Sequence, residues 1–424
     1  MTTSQRILQI LLKASTIGKW RPNGNLFGQS TEHKGSVNEI SVHDSLYWFV
    51  TGGNDGTVRL WDLTNTERDF AMNSKMTYTI IQGGGRVNSV AILNVTSPLI
   101  AACTDKGWIH VFSADLGTTM YTITISDSGA IFVQSSSGSK TQEASINVVR
   151  PLNIGNQPLL ICGNQNGMVV GIDPRAAREA FSWKSKEALE QGPISEICCG
   201  DNEPWVISST KRGFLTLWDL RYQISVSNTR INESAINRIS ICKNSVLTSS
   251  FSSPSVYIAS QNNDINLWSL ETQQTLYKFR YYEERKQFST EEPTFDINAL
   301  YVNDYDGCFY SGSSDGIVRF WDVNKIDQSY VVSGASQQAF MYGAKKEDNC
   351  TVFTEDVMSL QRTDQSLTSS TTSNRGKGGT FSQPIATHHL DTITDIEVVS
   401  GVSKGHFQPL LLTASRDGML KVWK

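Results

Sequence analysis

The sequence predicts an all-β fold: a seven-bladed β-propeller closed by an N-terminal strand, with a short N-terminal helix before it. One pattern occurs seven times, namely a strand, a tight turn, and a strand that ends in an aromatic or apolar residue. A further short β run opens each copy. The 10 Trp and 32 Gly among the 424 residues suit many short strands joined by tight turns.

The copies of the pattern keep a regular spacing. Their closing residues lie 46 to 60 positions apart, except for a last interval of 102 positions, which leaves room for an insertion. This is the spacing of WD repeats, in which each repeat supplies one four-stranded blade. The clear copies are TGGNDGTVRLWD (51–62), SSTKRGFLTLWD (208–219), SGSSDGIVRFWD (311–322) and TASRDGMLKVW (413–423), and the weaker ones are ACTDKGWIHVF (102–112), CGNQNGMVVGI (162–172) and IASQNNDINLW (258–268). The opening β runs begin at residues 36, 86, 145, 193, 235, 296 and 392.

A complete WD repeat buries a chain of hydrogen bonds, in which the turn Asp orients a His, the His meets a Ser or Thr hydroxyl, and the hydroxyl accepts from the closing Trp. Each such bond contributes about 0.5–1.5 kcal/mol net. The complete sets are His33, Thr51, Asp55 and Trp61 in the first repeat and His389, Thr413, Asp417 and Trp423 in the last.

The other repeats keep only parts of this set. The sixth has Ser311, Asp315 and Trp321, with Pro293 where the His would fall, while Arg212 and Asn262 replace the Asp of the fourth and fifth. Because these residues recur with the repeat, we interpret them as structural. A catalytic His-Asp-Thr set is the alternative, which the repeat context disfavours.

The chain ends in LLTASRDGMLKVWK, two strands whose outer edge needs a partner. Asn25 to Gln29 (NLFGQ) is strand-like and belongs to no blade, so we predict that it pairs antiparallel to Met419–Trp423 and closes the ring. We therefore expect a natural C-terminus at Lys424. Residues 1–19, apolar at 7, 8, 11 and 12, are expected to be a helical connector that precedes a propeller of residues 20–424.

Two segments interrupt the repeats. Residues 335–385 are predicted to be an insertion, in which Tyr342 to Leu360 contribute strands and the apolar-poor residues 365–380 are disordered. Ser126 to Glu143 are expected to form a long loop or extended hairpin of the third blade.

Composition excludes several classes of function. The balance of 37 basic against 41 acidic residues argues against a nucleic-acid partner. The seven cysteines are odd in number and lack paired CxxC or His motifs, so we expect no zinc, no cofactor and a reduced, cytosolic chain. The apolar runs fall short of the ~20 residues that span a bilayer.

Particular stretches carry a closer resemblance. They are WRPNG (20–24), GGRVNSV (84–90), LWDLRYQI (217–224), RFWDVNKIDQSYVVSG (319–334) and HHLDTITDI (388–396). Together and in this order they resemble the C-terminal WD-repeat domain of the vacuolar protein sorting-associated protein 15 (VPS15) family, the regulatory, kinase-like subunits of the class III phosphatidylinositol 3-kinase complex. Nothing in the chain resembles a kinase: no Gly-rich phosphate loop is followed by catalytic-loop and metal-binding motifs.

The resemblance implies a non-catalytic scaffold in autophagy and endosomal or vacuolar protein sorting. The implied partners are the catalytic lipid kinase subunit and the Beclin-type and coiled-coil targeting subunits. A G-protein α subunit is a further partner that fungal members suggest. The implied location is cytoplasmic, peripheral on endosome, autophagosome or vacuole membranes through the complex.

Two other functions are weighed against the scaffold. WDLR (218–221) and the degenerate IDPR (172–175) resemble the WDxR motif of cullin-RING ligase substrate receptors, although Arg221 and Arg175 also fit simple turn caps. A propeller enzyme would need converging ionisable residues, and the six His are scattered.

The sequence also offers candidate partner-binding residues. Residues just before the first strand or the turn Asp of a WD blade surround one mouth of the channel. Arg86 and Arg416 are expected to pair with an acidic partner there, the alternative being that both are merely solvated. The candidates at this mouth are Ser36, Asn54, Arg86, Ser314 and Arg416.

Overall fold

The computed structural model of the chain describes most of the predicted propeller. The described residues are 20–43, 47–64, 71–80, 84–93, 98–125, 131–133, 144–155, 157–184, 188–200, 203–242, 254–281, 295–303, 306–334, 340–347, 350–357, 387–403 and 406–424. The predicted connector at 1–19, the predicted disordered segment at 365–380 and Pro293 lie outside them.

The described strands form seven sheets, as the repeats predict. The chain begins with β1 (Leu26–Ser30). Blade one is β2 (Val37–Val42), β3 (Trp48–Gly53), β4 (Thr57–Asp62) and β5 (Met76–Thr79). Blade two is β6 (Val87–Leu93), β7 (Leu99–Thr104), β8 (Trp108–Ser113), β9 (Thr119–Ile125) and β10 (Ile131–Val133). Blade three is β11 (Ile146–Ile154), β12 (Gln157–Asn164), β13 (Met168–Asp173) and β14 (Arg178–Lys184).

The second half of the chain repeats this plan. After the short helix α1 (Ala188–Gln191), blade four is β15 (Ile194–Cys199), β16 (Trp205–Thr210), β17 (Phe214–Asp219) and β18 (Ile224–Arg230). Blade five is β19 (Ile236–Cys242), β20 (Ser255–Ser260), β21 (Asp264–Ser269) and β22 (Gln274–Arg280). Blade six is β23 (Ile297–Val302), β24 (Phe309–Ser313), β25 (Val318–Trp321) and β26 (Tyr330–Ser333), with a 3-10 helix at Ile326–Gln328. Two strands, β27 (Phe340–Glu347) and β28 (Cys350–Val357), follow blade six. Blade seven is β29 (Ile393–Ser403), β30 (His406–Ser415) and β31 (Leu420–Trp423), with β1 as its fourth strand.

The first strand of each blade lies innermost, and these inner strands contact one another in ring order from β2 through β29 and back to β2. The core is divided among seven apolar clusters in the described part of the chain, each lying between two neighbouring blades. Every Val, Leu, Ile or Phe buried there contributes about 1.5–3 kcal/mol. A blade is therefore stable only beside its neighbours.

The predicted closure of the ring is confirmed. β1 pairs antiparallel with β31, with Leu26 opposite Trp423 and Ser30 opposite Leu420. Two further bonds extend the pairing, from Asn23 N–H to Lys424 O (2.7 Å) and from Lys424 N–H to Asn25 O (3.0 Å). Gly24 has φ +75°, and a Cβ there would lie 2.5 Å from Val332 O, so the WRPNG stretch requires this glycine.

Two predictions about the interrupting segments can be compared with the structure. Of Ser126–Glu143, only Ile131–Val133 are among the described residues; they pair with β9 and extend blade two, so placing this part in the third blade was wrong. The prediction of strands after Tyr342 is confirmed by the β27–β28 hairpin. The strands of this hairpin do not pair with strands of blade six or blade seven, which precede and follow the hairpin in the sequence. It passes blade six, and β28 pairs in parallel with β22 on the outer edge of blade five.

Candidate functional site

The predicted residue set of blade one lies together in the structure. His33 Nε2 lies 2.8 Å from Thr51 Oγ1, which accepts from the Trp61 indole N–H at 2.9 Å. His33 Nδ1 lies 3.1 Å from Asp55. Since Asp55 accepts from Nδ1–H of His33, Nε2 is left to accept the Thr51 hydroxyl proton. Each polar side-chain group of these four residues therefore has a hydrogen-bond partner.

The set of blade seven repeats this arrangement. His389 Nε2 is 2.7 Å from Thr413 Oγ1, which accepts from Trp423 at 2.9 Å, and Nδ1 is 3.4 Å from Asp417. Burial lowers the pKa of His389, although Asp417 opposes this. Burial acts to raise the pKa of Asp417, but hydrogen bonds from His389 and backbone amides lower it to about 2. A neutral His beside a fixed carboxylate suits a structural role.

Blade six buries the Ser–Trp pair without a His. Trp321 donates to Ser311 at 3.0 Å, and the Tyr281 hydroxyl donates to the same oxygen. The Arg319 guanidinium donates to Asp315 at 2.9 Å and to Glu355, from the inserted hairpin, at 3.0 Å. The insertion thus supplies a charge partner inside blade six.

Blades four and five keep less of the set. Trp218 still donates to Ser208 at 2.9 Å. Arg212, in the place of the turn Asp, donates instead to the carbonyl oxygens of Leu189 and Glu190 at 3.0 Å. In blade five Ser260 donates to Asn262 at 2.5 Å.

Side-chain hydrogen bonds join consecutive inner strands at five of the seven blade boundaries, all at one end of the channel. In each case a side chain at the second position of an inner strand donates to a carbonyl oxygen on the inner strand of the next blade. The pairs are Asn38 to Val87 (2.6 Å), Asn88 to Ile146 (2.8 Å), Asn147 to Ile194 (2.8 Å), Asn237 to Ile297 (3.1 Å) and Thr394 to Val37 (2.5 Å). We call these bonds the interblade latches, and they fix the blades that they join to one another.

Beneath the latches, ionisable side chains from five blades meet on the channel axis. We call Glu39, Arg150, Glu196, Arg238 and Asp395 the central cluster. Arg238 lies 3.1 Å from Glu39, 2.5 Å from Glu196 and 2.7 Å from Asp395. Arg150 lies 2.5 Å from Glu39 and 2.7 Å from Glu196. Three of these contacts, Arg238 with Glu39 and Asp395 and Arg150 with Glu39, join blades that are not neighbours, so the cluster places paired charges across the channel.

The electrostatics of the cluster follow from the surplus of carboxyl groups. Burial acts to raise the pKa of Glu39, but Arg150 and Arg238 lower it. Burial raises the pKa of Asp395 to about 6. Burial together with the nearby Asp395 raises the pKa of Glu397, which lies beside the cluster, to about 8. This raised pKa favours the neutral acid form of Glu397, so that Glu397 adds little negative charge beside the cluster.

The cluster separates two mouths of the channel. The Arg86 mouth, on the side of the latches, contains cavities of about 250 and 310 Å³ that share Asn38, Asn88, Asn147, Ser195 and Lys211. The His43 mouth, on the opposite side, holds a cavity of about 410 Å³ lined by His43, Tyr301 and Glu397 among others. Glu39, Glu196 and Arg238 line cavities on both sides.

The structure brings three of the predicted partner-binding residues to the Arg86 mouth. Asn54 and Arg86 line one cavity and Arg416 lines the other. Ser36 is only 8% exposed, and Ser314 Oγ accepts from the Asp296 backbone N–H at 3.0 Å, so neither lines these cavities.

Sequence reasoning missed Lys211, which lines both cavities. Its position, just before the residue that replaces the turn Asp, follows the same rule that selected Asn54. The rule was applied only where the Asp was present.

Arg221 lies elsewhere, on the outer turn of blade four. It is bidentate to Asp219 at 3.1 and 2.6 Å, and its side chain is 64% exposed. Arg175 pairs in the same way with Asp173 at 3.2 Å. Each guanidinium is thus engaged by the Asp of its own turn.

The chemistry available in the channel is limited. Among the described residues, no group of three or more His, Cys, Asp or Glu is placed to hold a metal ion. In the same part of the chain, no helix is long and apolar enough to cross a membrane. The arrangement offers charged and amide groups for recognising another protein.

Comparison with known proteins agrees with this description. Residues 22–62, 285–322 and 382–424 match the family described as WD domain, G-beta repeat. The probable serine/threonine-protein kinase vps15 of Dictyostelium discoideum is 30% identical over 269 residues, which is 63% of this chain and 13% of that protein. The serine/threonine-protein kinase VPS15 of Arabidopsis thaliana is 24% identical in an alignment 443 positions long, gaps included, which covers 96% of this chain and 29% of that protein.

The fold itself is matched by a solved structure. The WD40 β-propeller domain of Doa1 superposes with a TM-score of 0.56 at 12% identity, covering 94% of this chain and 96% of that one. The chain spans less than a third of the length of the two VPS15 relatives.

Fold and buried networks together define a seven-bladed WD40 β-propeller. Within that class, the homology to VPS15 proteins supports a WD-repeat domain of the VPS15 type, and the resemblance read from the sequence is confirmed. The kinase domain for which those relatives are named is absent from these residues.

Proposed function

We propose that this chain is the scaffold and protein-interaction domain of a class III phosphatidylinositol 3-kinase complex that acts in autophagy and in endosomal or vacuolar protein sorting. The observation that supports this is the alignment of 96% of the chain with a VPS15 protein. The proposed partners are the catalytic subunit and the Beclin-type and coiled-coil targeting subunits, with a G-protein α subunit as a further candidate. The proposed location is the cytoplasmic surface of endosomes, autophagosomes or vacuoles, reached through the complex.

We further propose that the Arg86 mouth binds an acidic surface of one partner. Arg86, Lys211 and Arg416 are exposed cations around cavities lined by amide groups. A rim of one sign of charge raises the association rate with a partner of the opposite sign more than it raises affinity. The interblade latches hold this rim rigid, which lowers the entropic cost of binding.

Affinity purification of the native complex with mass spectrometry tests the proposal. We expect the lipid kinase subunits to co-purify with the tagged full-length protein, and their absence would overturn the assignment. Arg86→Glu with Arg416→Glu should weaken recovery of one partner, whereas the matched control Lys325→Glu, an exposed cation in blade six, should not. Equal recovery with both variants would remove the Arg86 mouth from the proposal.

A substrate receptor of a cullin-RING ligase is the alternative function, because WDLR presents Arg221 on an exposed turn. The bidentate contact with Asp219 would have to open before Arg221 could bind a ligase adaptor. A pulldown with the adaptor that is lost on Arg221→Ala would support this function, and no capture by the unmodified chain would remove it.

A further inference from the structure

The outer edge of blade four is unusual in carrying exposed apolar side chains. Tyr222, Ile224 and Val226 are 70%, 54% and 57% exposed, and they follow one another at alternate positions into β18. No charged residue lies between Tyr222 and Thr229. In the structure β18 pairs with β17 on one side only. An edge strand of this kind is a template for pairing with a further strand.

Other outer edges in the described part of the chain are covered, charged or short. β10 covers β9 in blade two, and β28 covers β22 in blade five. β14 in blade three exposes Arg178, Glu179 and Lys184, whose charges disfavour pairing. β5 in blade one has four residues. Blade four thus combines a long edge, exposed apolar groups and few charges.

Blade five shows how such an edge accepts a strand. β22 pairs with β21 in the same register as β18 with β17, displaced by 50 residues: Gln274 opposite Ser269 corresponds to Ile224 opposite Asp219. Both strands carry a bulge at the same place. The incoming β28 binds beyond the bulge, along Tyr277–Arg280. The corresponding stretch of blade four is Ser227–Arg230.

The charges at the end of this stretch indicate what kind of strand would fit. Arg280 pairs with Asp264 at 3.3 Å and with Glu347 of the inserted hairpin at 3.6 Å. In blade four, Phe214 replaces Asp264, and the Arg230 guanidinium lies 5.8 Å from the centre of its ring. Within the described residues Arg230 has no carboxylate partner. Glu347 lies on β27, the hairpin strand next to the incoming β28. An incoming segment that likewise brings an acidic residue close to Arg230 would supply one.

We propose that the outer edge of blade four, β18 with Tyr222, binds an extended segment of another protein that adds a parallel strand along Ser227–Arg230. That segment carries apolar side chains, which cover Ile224 and Val226, and an acidic side chain, which pairs with Arg230. The surface is separate from the Arg86 mouth and shares with the proposed function only that the domain binds proteins.

The probe is a fluorescein-labelled peptide of residues 340–357, with Cys350→Ser, added to the 424-residue chain, whose own hairpin already occupies blade five. Fluorescence anisotropy should show saturable binding. Ile224→Lys with Val226→Lys should weaken it by at least about tenfold, as should Arg230→Glu. The peptide with Glu347→Lys should bind the Arg230→Glu chain better than the unmodified chain.

The matched control is Leu116→Lys with Met120→Lys, which places the same charges on exposed apolar residues of blade two and should leave binding unchanged. Unchanged melting temperatures would show that all variants fold. Absent binding, or binding that survives the blade four changes, would overturn the proposal. A dimer in sedimentation velocity that is lost with Val226→Lys would overturn it in favour of a second copy. None of these outcomes depends on recovery of the kinase complex.

Discussion

Blades one and six bury the same pair, a hydroxyl and a Trp indole. The polar residues that surround this pair lie near it in the sequence in blade one and far from it in blade six. In blade one, His33 and Asp55 come from the repeat that contains the pair. In blade six, Tyr281 comes from the preceding blade and Glu355 from an insertion that follows the blade. The comparison teaches that what a blade requires is satisfied polar atoms around the Trp, and that the WD residue set is one way to provide them.

Removing residues 1–31 should have the largest effect, because it deletes β1, the strand of blade seven that comes from the opposite end of the sequence. The apolar cluster between blades seven and one would open, and the edge of β31 would be unpaired. We expect loss of cooperative unfolding and aggregation, measured by circular dichroism and light scattering. A soluble truncation with the original melting temperature would contradict the closure described here.

Glu355→Ala should have the second largest effect, because it removes the ion pair between the inserted hairpin and Arg319 of blade six. It leaves the Arg319 guanidinium buried with Asp315 as its remaining carboxylate partner, and removal of one member of a buried pair costs about 3–5 kcal/mol. Urea unfolding would measure the loss. The triple variant Arg319→Met, Glu355→Leu and Asp315→Asn is the control, because it removes all three charges of the network together and should recover most of the loss.

Glu397→Gln should have a smaller effect, which depends on pH. The pKa of Glu397 is about 8 in the folded chain, above its ordinary value. The neutral acid therefore stabilises the fold fully below the ordinary pKa, and this stability is lost as the pH rises through about 8. Between about pH 6 and about pH 9 the unmodified chain should lose at least ~1.4 kcal/mol more than the variant, the equivalent of one pKa unit.

The blade seven network should respond on the opposite side of the pH scale, which sharpens its contrast with Glu397. Asp417 has a pKa of about 2, so its stabilising contribution is present above the ordinary Asp value and is lost as the pH falls toward 2. Parallel pH profiles for the unmodified chain and for Glu397→Gln would contradict the assignment of a proton to Glu397.

Tyr281→Phe should have the smallest effect. It removes one hydrogen bond to Ser311, while the Trp321 indole keeps its acceptor. The expected cost is about 0.5–1.5 kcal/mol in urea unfolding. A cost as large as that of Glu355→Ala would mean that the Tyr281 hydroxyl stabilises blade six at least as much as the Arg319–Glu355 ion pair does.

The same distinction explains what could be predicted from the sequence. One repeat contains the whole set of blade one, namely His33, Thr51, Asp55 and Trp61. Their spacing is fixed by the repeat and can therefore be recognised in the sequence. Glu355 reaches Arg319 only because a hairpin passes one blade and docks on another, a choice that depends on the shape of an edge rather than on a motif.

The central cluster was missed for a related reason. Glu39 and Arg238 are separated by 199 positions, and each looks like an ordinary polar residue on a strand. A signal did exist in the aligned inner strands VNE, VNS, INV, ISE, INR, INA and ITD. Five residues of their second column form the interblade latches. Four of their third-column residues are charged, and Arg238 among them contacts the carboxylates of the other three, Glu39, Glu196 and Asp395.

The closure by β1 and β31 also determines how the ring would respond to force. Leu26 opposite Trp423 is the end of the pairing nearest to both flanking segments, since residues 20–25 and Lys424 leave from the same side. Tension between residues 20 and 424 would therefore load one hydrogen bond at a time and unzip the strands instead of shearing them together. The strand pairing that closes the propeller is therefore expected to resist little force when it is pulled from residues 20 and 424.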